Sequence, residues 1–199
     1  RSFSGYWAIV NRNYIYLSDN EKTDFLIDFF TINGLDNKKV NKYDIRNFDI
    51  SNNAYNNPLV INSTITTSDL IEKKNGFAIF KIGKVIGLQS NLFEEDKRIN
   101  PIEISFPNSY NYIIEVNIPK GYRISDLSEL NKSEEYISVN GNSSAKFISD
   151  AKIKGNKLTI SIKEYYKELK YNKKRYQEFR KVINAAAKFY ESSLLLEKI

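Results

Sequence analysis

Between Tyr110 and Ile118 the chain alternates with a period of two. Tyr112, Ile114, Val116 and Ile118 are apolar, and Asn111, Glu115 and Asn117 stand between them. Successive side chains of a strand point to opposite faces, so this segment offers one face to a core and one to water. Pro119 and Gly121 end it, because Pro has no amide to give a ladder and Gly accepts turn geometry. A second segment of the same kind follows, with Leu158, Ile160 and Ile162 alternating with Lys157, Thr159, Ser161 and Lys163. Two dipeptides suited to tight hairpins, Asn140-Gly141 and Gly155-Asn156, separate the apolar runs between them. The pattern predicts a four-stranded antiparallel meander. A sheet with one apolar face needs a cover.

The last third of the chain supplies that cover. From Lys173 to Tyr190, apolar residues recur at spacings of three and four (Tyr176, Phe179, Ile183, Ala186 or Ala187, and Tyr190), which predicts an amphipathic helix. Ser192-Ser193 breaks it, and Leu194-Leu195-Leu196 reads as a short terminal strand that joins a sheet. Upstream, residues 3–17 are rich in aromatic and β-branched side chains and read as one or two strands, with Trp7 in the core. Ser18-Asp19-Asn20-Glu21 matches a capping box, and Phe25, Leu26, Phe29 and Phe30 follow at helical spacing as far as Asn33-Gly34. Weaker strands are expected over 40–49, 58–67 and 77–82, and Tyr122 to Ser133 reads as a polar connector. The expected fold is mainly β with two helices (α+β), built of antiparallel sheets or a β-sandwich, the final helix covering the meander. Two parts are expected, 1–90 (strand, helix, strands) and 91–199 (meander, helix and terminal strand), packed as one unit.

The 199 residues contain neither Cys nor His. Nucleophilic machinery of the Ser-His-Asp or Cys-His kind cannot be assembled from them, nor can a Cys/His zinc site. Carboxylate chemistry and oxygen-ligand calcium sites stay open. No run of about eighteen apolar residues exists, so no transmembrane segment is expected. The chain starts at Arg1 and has no Met, and the expectation is a processed chain or an excised piece with something upstream. No cofactor is expected.

The net charge of +6 is local. Within 163–181 there are eight basic and three acidic residues, interleaved with Tyr165, Tyr166, Tyr171 and Tyr176. Lys167, Lys170, Lys173, Lys174 and Arg175 are therefore the candidate binding surface, for an anionic lipid, glycan or similar partner. The plainer reading is a solvated strand end and helix start, with Glu164, Glu168 and Glu178 as local partners. Lys173, Lys174 and Arg175 would occupy the first helical turn, where the helix dipole disfavours each cation by about 0.3–1 kcal/mol. Nucleic acid is not expected as a partner, since no recognised motif accompanies the charge. Arg98 is the candidate structural anchor, pinning its loop to a carboxylate or to carbonyls. Glu94-Glu95-Asp96 reads as a cation site or as an exposed charged loop. Phe106, Tyr110, Tyr112 and Tyr122 read as a glycan platform or as core and rim packing. Asp126, Glu129, Glu134 and Glu135 lack the alternation of a calcium loop.

Several of these stretches, taken in order, resemble one family. The group Arg98-Ile99-Asn100-Pro101, then Phe106-Pro107, then the alternating strand ending in Ile118-Pro119-Lys120-Gly121-Tyr122, is similar to the C-terminal domains of transglutaminase-like proteins of the Bacteroidetes type. Gly5-Tyr6 with Arg12 resembles the exit from the transglutaminase-like core. Asn156 to Ile162 resembles the strand before the final helix, and Phe179 to Ile183 with Leu194 to Leu196 resembles the closing helix and strand. The resemblance implies a periplasmic or envelope protein with an N-terminal β-sandwich, a papain-like core carrying a Cys-His-Asp triad, and a C-terminal β-rich domain. It covers only the last part, and no triad residue carries over to any position here. The expectation is a non-catalytic accessory domain whose partner is the upstream core. The alternative is an autonomous binding module for glycan, peptide or an anionic surface.

Overall fold

The structure is a computed structural model that describes residues 1–13, 32, 34–36, 38–49, 51, 56–93 and 98–199. The helix expected behind Ser18 and the acidic run Glu94-Glu95-Asp96 lie outside the described residues. The chain divides into two compact units, Arg1–Asp69 and Leu70–Ile199.

In the first unit, β1 (Ser2–Phe3) and β2 (Lys38–Arg46) flank β3 (Leu59–Thr67) in an antiparallel sheet. Between β1 and β2 lies α1 (Gly5–Asn13). Where one or two strands are expected over 3–17, the described part has a two-residue strand followed by a helix, and 14–17 lie outside the described residues. Strand preference measures fit to a pleated, half-buried surface, and here tertiary context overrides it. Ala8 and Arg12, four residues apart and so on one helical face, are the buried positions of α1. Trp7, expected in the core, is 38% exposed. The buried cluster consists of Ala8, Leu59 and Ile61, with Phe3, Val40 and Ile45 packed against it. Arg12 is 1% exposed, and its guanidinium donates to the carbonyls of Asn47 (2.9 Å) and Asn57, gathering both ends of the loop between β2 and β3.

The second unit begins with a hairpin, β4 (Ile71–Lys74) and β5 (Phe77–Phe80), turned at Asn75-Gly76. A 3-10 helix, Ile82–Ile86, follows. The short strand β6 (Ile102–Glu103) precedes β7 (Asn108–Asn117) and β8 (Tyr122–Ile124). Next come β9 (Lys132–Ile137), β10 (Ser143–Lys154) and β11 (Lys157–Tyr166), joined by the two expected hairpins. Then β12 (Lys170–Tyr171), a 3-10 turn at Lys173–Arg175, α2 (Tyr176–Tyr190) and β13 (Leu194–Lys198) complete it.

The main sheet has the order β7-β11-β10-β9 and is antiparallel throughout. Three of its strands form a meander, but β7 lies beside β11 and not beside β9, which gives Greek-key order. The reason lies in the segment expected to be a connector. Tyr122–Ile124 leaves the sheet and pairs with β13, so the chain reaches β9 from the far side. The terminal strand β13 does join a sheet, between β5 and β8 in the order β4-β5-β13-β8. This pairing places Phe77–Phe80 in the second unit, whereas the sequence reading put it in the first.

The alternation on β7 and β11 is real: Ile114, Leu158, Ile160 and Ile162 are buried, and their neighbours on the other face are largely wet. The helix α2 packs against β9 and β10 and buries Tyr176, Phe179, Val182, Ala185, Ala186, Ala187 and Phe189. Ile183 and Tyr190 are only partly buried beside them. The seam therefore runs through Val182 and Phe189, about one position round the helix from the expected stripe.

Candidate binding surface

Strand β11 ends where the basic stretch begins, so its side chains separate by parity. Lys163 and Tyr165 fall on the wet face, and Glu164 and Tyr166 on the buried one. On the wet face the Tyr165 and Ser143 hydroxyls share a 2.5 Å hydrogen bond. The ammonium groups of Lys167 and Lys163 lie 4.3 Å and 5.7 Å from the Tyr165 ring centroid. Glu135, one strand further across, lies 3.5 Å from Lys146. Its carboxyl is held below the usual range by the Ser143 hydroxyl, and by the charges of Lys146 and Lys167. The surface is a cationic rim around one tyrosine.

The other four candidates point elsewhere. Lys170 pairs with Glu103 at 2.9 Å across the β6-β12 ribbon. Lys173 donates to the Ile99 carbonyl at 2.8 Å. Lys174 is exposed, and its amide donates to the Asn172 side chain at 2.9 Å, which caps the 3-10 turn. Arg175 is bound to both carboxylate oxygens of Glu178 and donates to the Ile137 carbonyl. Its guanidinium lies 4.5 Å from the Tyr136 ring centroid. The 3-10 turn thus keeps the three cations ahead of α2, and a carbonyl and a carboxylate offset the unfavourable dipole.

Arg98 lies with its guanidinium carbon 4.8 Å from the Tyr176 ring centroid. The Tyr176 hydroxyl donates to the Phe93 carbonyl at 2.7 Å. Asn184, on α2, accepts from the Leu92 amide (2.7 Å) and donates to the Leu92 carbonyl (2.9 Å). The sequence reading missed this two-way clamp. Asn184 sits between apolar positions of a helix, and only docking shows that its amide mimics a strand partner.

Behind Arg98 and Arg175 the interior is aromatic. Phe179 lies 4.4 Å from Tyr171, 5.9 Å from Tyr166 and 6.4 Å from Tyr136, centroid to centroid, at inclined angles. Into this cluster β11 projects Glu164, only 5% exposed, with the Tyr166 hydroxyl donating to it at 2.6 Å. Burial raises the Glu164 carboxyl above its ordinary value, against the opposing effect of the Tyr166 hydrogen bond. Burial and the neighbouring carboxylate push the Tyr166 phenol up as well. The Tyr171 hydroxyl donates to the Ser144 carbonyl at 3.0 Å. Nearby, the buried Asn108 Oδ1 and Ser144 Oγ have no hydrogen-bond partner. The parity of β11 predicts this position for Glu164, but a charge in a basic run reads as a surface partner until the strand's end is known.

Of the aromatic residues considered as a platform, Phe106, Tyr110, Tyr112 and Tyr122 are all half-buried, with Tyr112 against the main core and Tyr122 against a smaller cluster of Ala78, Ile118 and Leu196. Asp126 accepts from the Ser128 amide and hydroxyl, both at 2.8 Å, and starts the 3-10 turn Ser128–Leu130. Among the described residues no group of three or more acidic side chains is placed to hold a metal ion, and no helix is long and apolar enough to cross a membrane. At the opposite end of the main sheet an open groove of about 530 Å³ runs between Ile118–Ile124, the hairpin residues Ile153, Gly155 and Asn156, and Ile199.

No curated protein and no solved structure matches the chain. Residues 77–196, from the start of β5 into β13, match the family described as "Domain of Unknown Function with solved-structure structure (DUF3858)". That span holds the Greek-key sheet, the aromatic interior and α2, and is more than half of the chain: the chain belongs to this family.

Proposed function

We propose that this chain is a non-catalytic accessory domain of a transglutaminase-like envelope protein, docking onto and positioning a papain-like core in the same polypeptide. The supporting observation is the surface of the first unit. Tyr6, Trp7, Ile9, Tyr43 and Phe48 are each at least 38% exposed there. Exposed apolar side chains gathered in this way gain stability when a neighbour covers them. The helix that presents Tyr6, Trp7 and Ile9 is also the segment whose Gly5-Tyr6 and Arg12 resemble the exit from a transglutaminase-like core. The periplasmic setting and the Bacteroidetes-type ancestry are part of the same proposal and rest on that resemblance.

The test has two arms. The coding sequence upstream of Arg1 is expected to encode a Cys-His-Asp module, and its absence ends the proposal. If the module is there, Tyr6→Ser with Ile9→Ser is expected to weaken co-purification of the two parts when expressed as separate chains; unchanged association removes docking through α1.

The rim of Lys163 and Lys167 around Tyr165 favours a second reading, a binding module for an anionic surface or glycan. It predicts saturable binding to anionic liposomes or an acidic glycan that weakens with salt. A flat response across a salt series would dismiss it.

A further inference from the structure

The free edges of the described strands are guarded, with one exception. Natural sheets blunt an edge by making it short, by charging it with lysine, by proline, or by a bulge. Strand β9 carries Lys132, Glu134 and Glu135, and its pairing with β10 shifts register between Ser143 and Ala145. Strand β2 carries Lys38, Lys39 and Lys42, and its register shifts between Val40 and Lys42. Strand β4 reads Ile-Glu-Lys-Lys, and β1 and β8 are two and three residues long. Strand β7 is different. It runs for ten residues, Asn108–Asn117, without lysine, arginine or proline, in unbroken register with β11. No described strand pairs with its other side. Ile113, at its middle on the wet face, is 77% exposed.

The phase of the ladder fixes which backbone groups that edge offers. The Ile118 amide donates to the Asn156 carbonyl at 2.7 Å, so the pair Ile118–Asn156 is a hydrogen-bonded one. Hydrogen-bonded and non-hydrogen-bonded pairs alternate in an antiparallel ladder. In the same register Val116, Ile114 and Tyr112 therefore bond to β11, and Ser109, Asn111, Ile113, Glu115 and Asn117 turn their N–H and C=O groups to the open side.

That edge is complementary to itself. When two copies of β7 run antiparallel about a two-fold axis at Ile113, Ile113 faces Ile113, Asn111 faces Glu115, and Ser109 faces Asn117, all as hydrogen-bonded pairs. No like charges meet, and Glu115 already has Lys157 at 3.2 Å on its own sheet. Tyr112 falls opposite Ile114, and Tyr110 opposite Val116, so the half-buried inner side chains at the edge acquire apolar neighbours. The geometry points to β7 as the pairing edge of a homodimer, with a second copy of this chain as its occupant and one continuous sheet running through both.

Sedimentation velocity on the full chain is expected to show a species of twice the single-chain mass that grows with concentration. Ile113→Lys sets two ammonium groups face to face at the axis and is expected to abolish it. The Ile113 side chain lies in water, so circular dichroism of this variant should match the parent. Register is read with single cysteines, since the chain has none of its own. Facing residues of a hydrogen-bonded pair lie about 5.5 Å apart between Cα atoms, within disulfide reach. Ile113→Cys is expected to cross-link to itself on mild oxidation. Asn111→Cys should cross-link only when mixed with Glu115→Cys. A chain that stays single at every concentration with Ile113→Cys uncross-linked overturns the inference. So does a dimer that survives Ile113→Lys, or one whose cysteines join in another register.

Discussion

The 3-10 helix Ile82–Ile86 docks on the end of α2 at Gly83, and this contact leaves no room for a side chain. The Gly83 amide donates to the Ser192 carbonyl at 3.0 Å. A Cβ at Gly83 would overlap the Phe189 carbonyl oxygen and lie 2.6 Å and 2.7 Å from the carbonyl oxygen and carbon of Tyr190. These are backbone atoms near the end of a helix whose Val182 and Phe189 are fully buried, so no rotamer change relieves the overlap. In Gly83→Ala the 3-10 helix must back away, which stretches the bond to Ser192 and opens the packing of Ile82 and Leu194. Overpacking of this kind costs about 1–3 kcal/mol, and the weakened hydrogen bond about 1 kcal/mol more. The expected loss is about 2–4 kcal/mol. Urea unfolding followed by near-ultraviolet circular dichroism of the buried tyrosines reads it, with faster amide exchange at the end of α2 as the local signature. Gly155→Ala is the control, because there the backbone is left-handed at φ 62° but nothing lies within 4 Å of the added carbon. Its cost is the conformational one, about 1–2 kcal/mol. An unfolding free energy for Gly83→Ala within about 0.5 kcal/mol of the parent, well inside the usual cost of overpacking, would refute the packing argument.

Three further outcomes are expected. Glu164 is a carboxyl with its folded value raised above 4.5, so the stability it contributes is full below that ordinary value and is lost as pH rises through the raised one. Glu164→Gln keeps an acceptor for Tyr166 and should remove this fall from a series of unfolding curves between acid and neutral pH; an unchanged slope would mean that Glu164 is not the group responsible. Asn184→Ala leaves the amide and carbonyl of Leu92 without their clamp, and should cost about 1–3 kcal/mol and speed hydrogen exchange at Leu92, an effect absent if the clamp does not persist in solution. Phe179→Ala empties the centre of the ring of Tyr136, Tyr166 and Tyr171, and should cost about 3–5 kcal/mol in the same urea assay, a value below 1 kcal/mol contradicting the described core.

The candidate surface was legible only in part. The charge count located the basic stretch correctly in sequence, but a count has no direction. The end of β11, the β12 ribbon and the 3-10 turn send Lys167, Lys170, Lys173 and Arg175 to different partners and leave Lys174 exposed. Lys163, flanking Tyr165 from the wet face, belongs with Lys167 by strand parity. Arg98 reached an aromatic ring, and the seam before it is held by Asn184 and Tyr176, which no local pattern singles out.

The sequence by itself determined what depends on neighbours along the chain. Alternation at 112–118 and 158–162 marked the strands and their buried faces. Asn140-Gly141 and Gly155-Asn156 marked the hairpins, and the three-and-four spacing after Tyr176 marked the covering helix. Each is a local preference, set by side-chain parity or by the backbone freedom of one residue. Tertiary structure alone decided where distant segments meet. It turned residues 5–13 into a helix, drew Tyr122–Ile124 out to β13 and so made the sheet a Greek key, buried Glu164, and required glycine at 83. In each of these cases the deciding energy comes from contacts between residues far apart in the chain, and a local pattern carries no record of them.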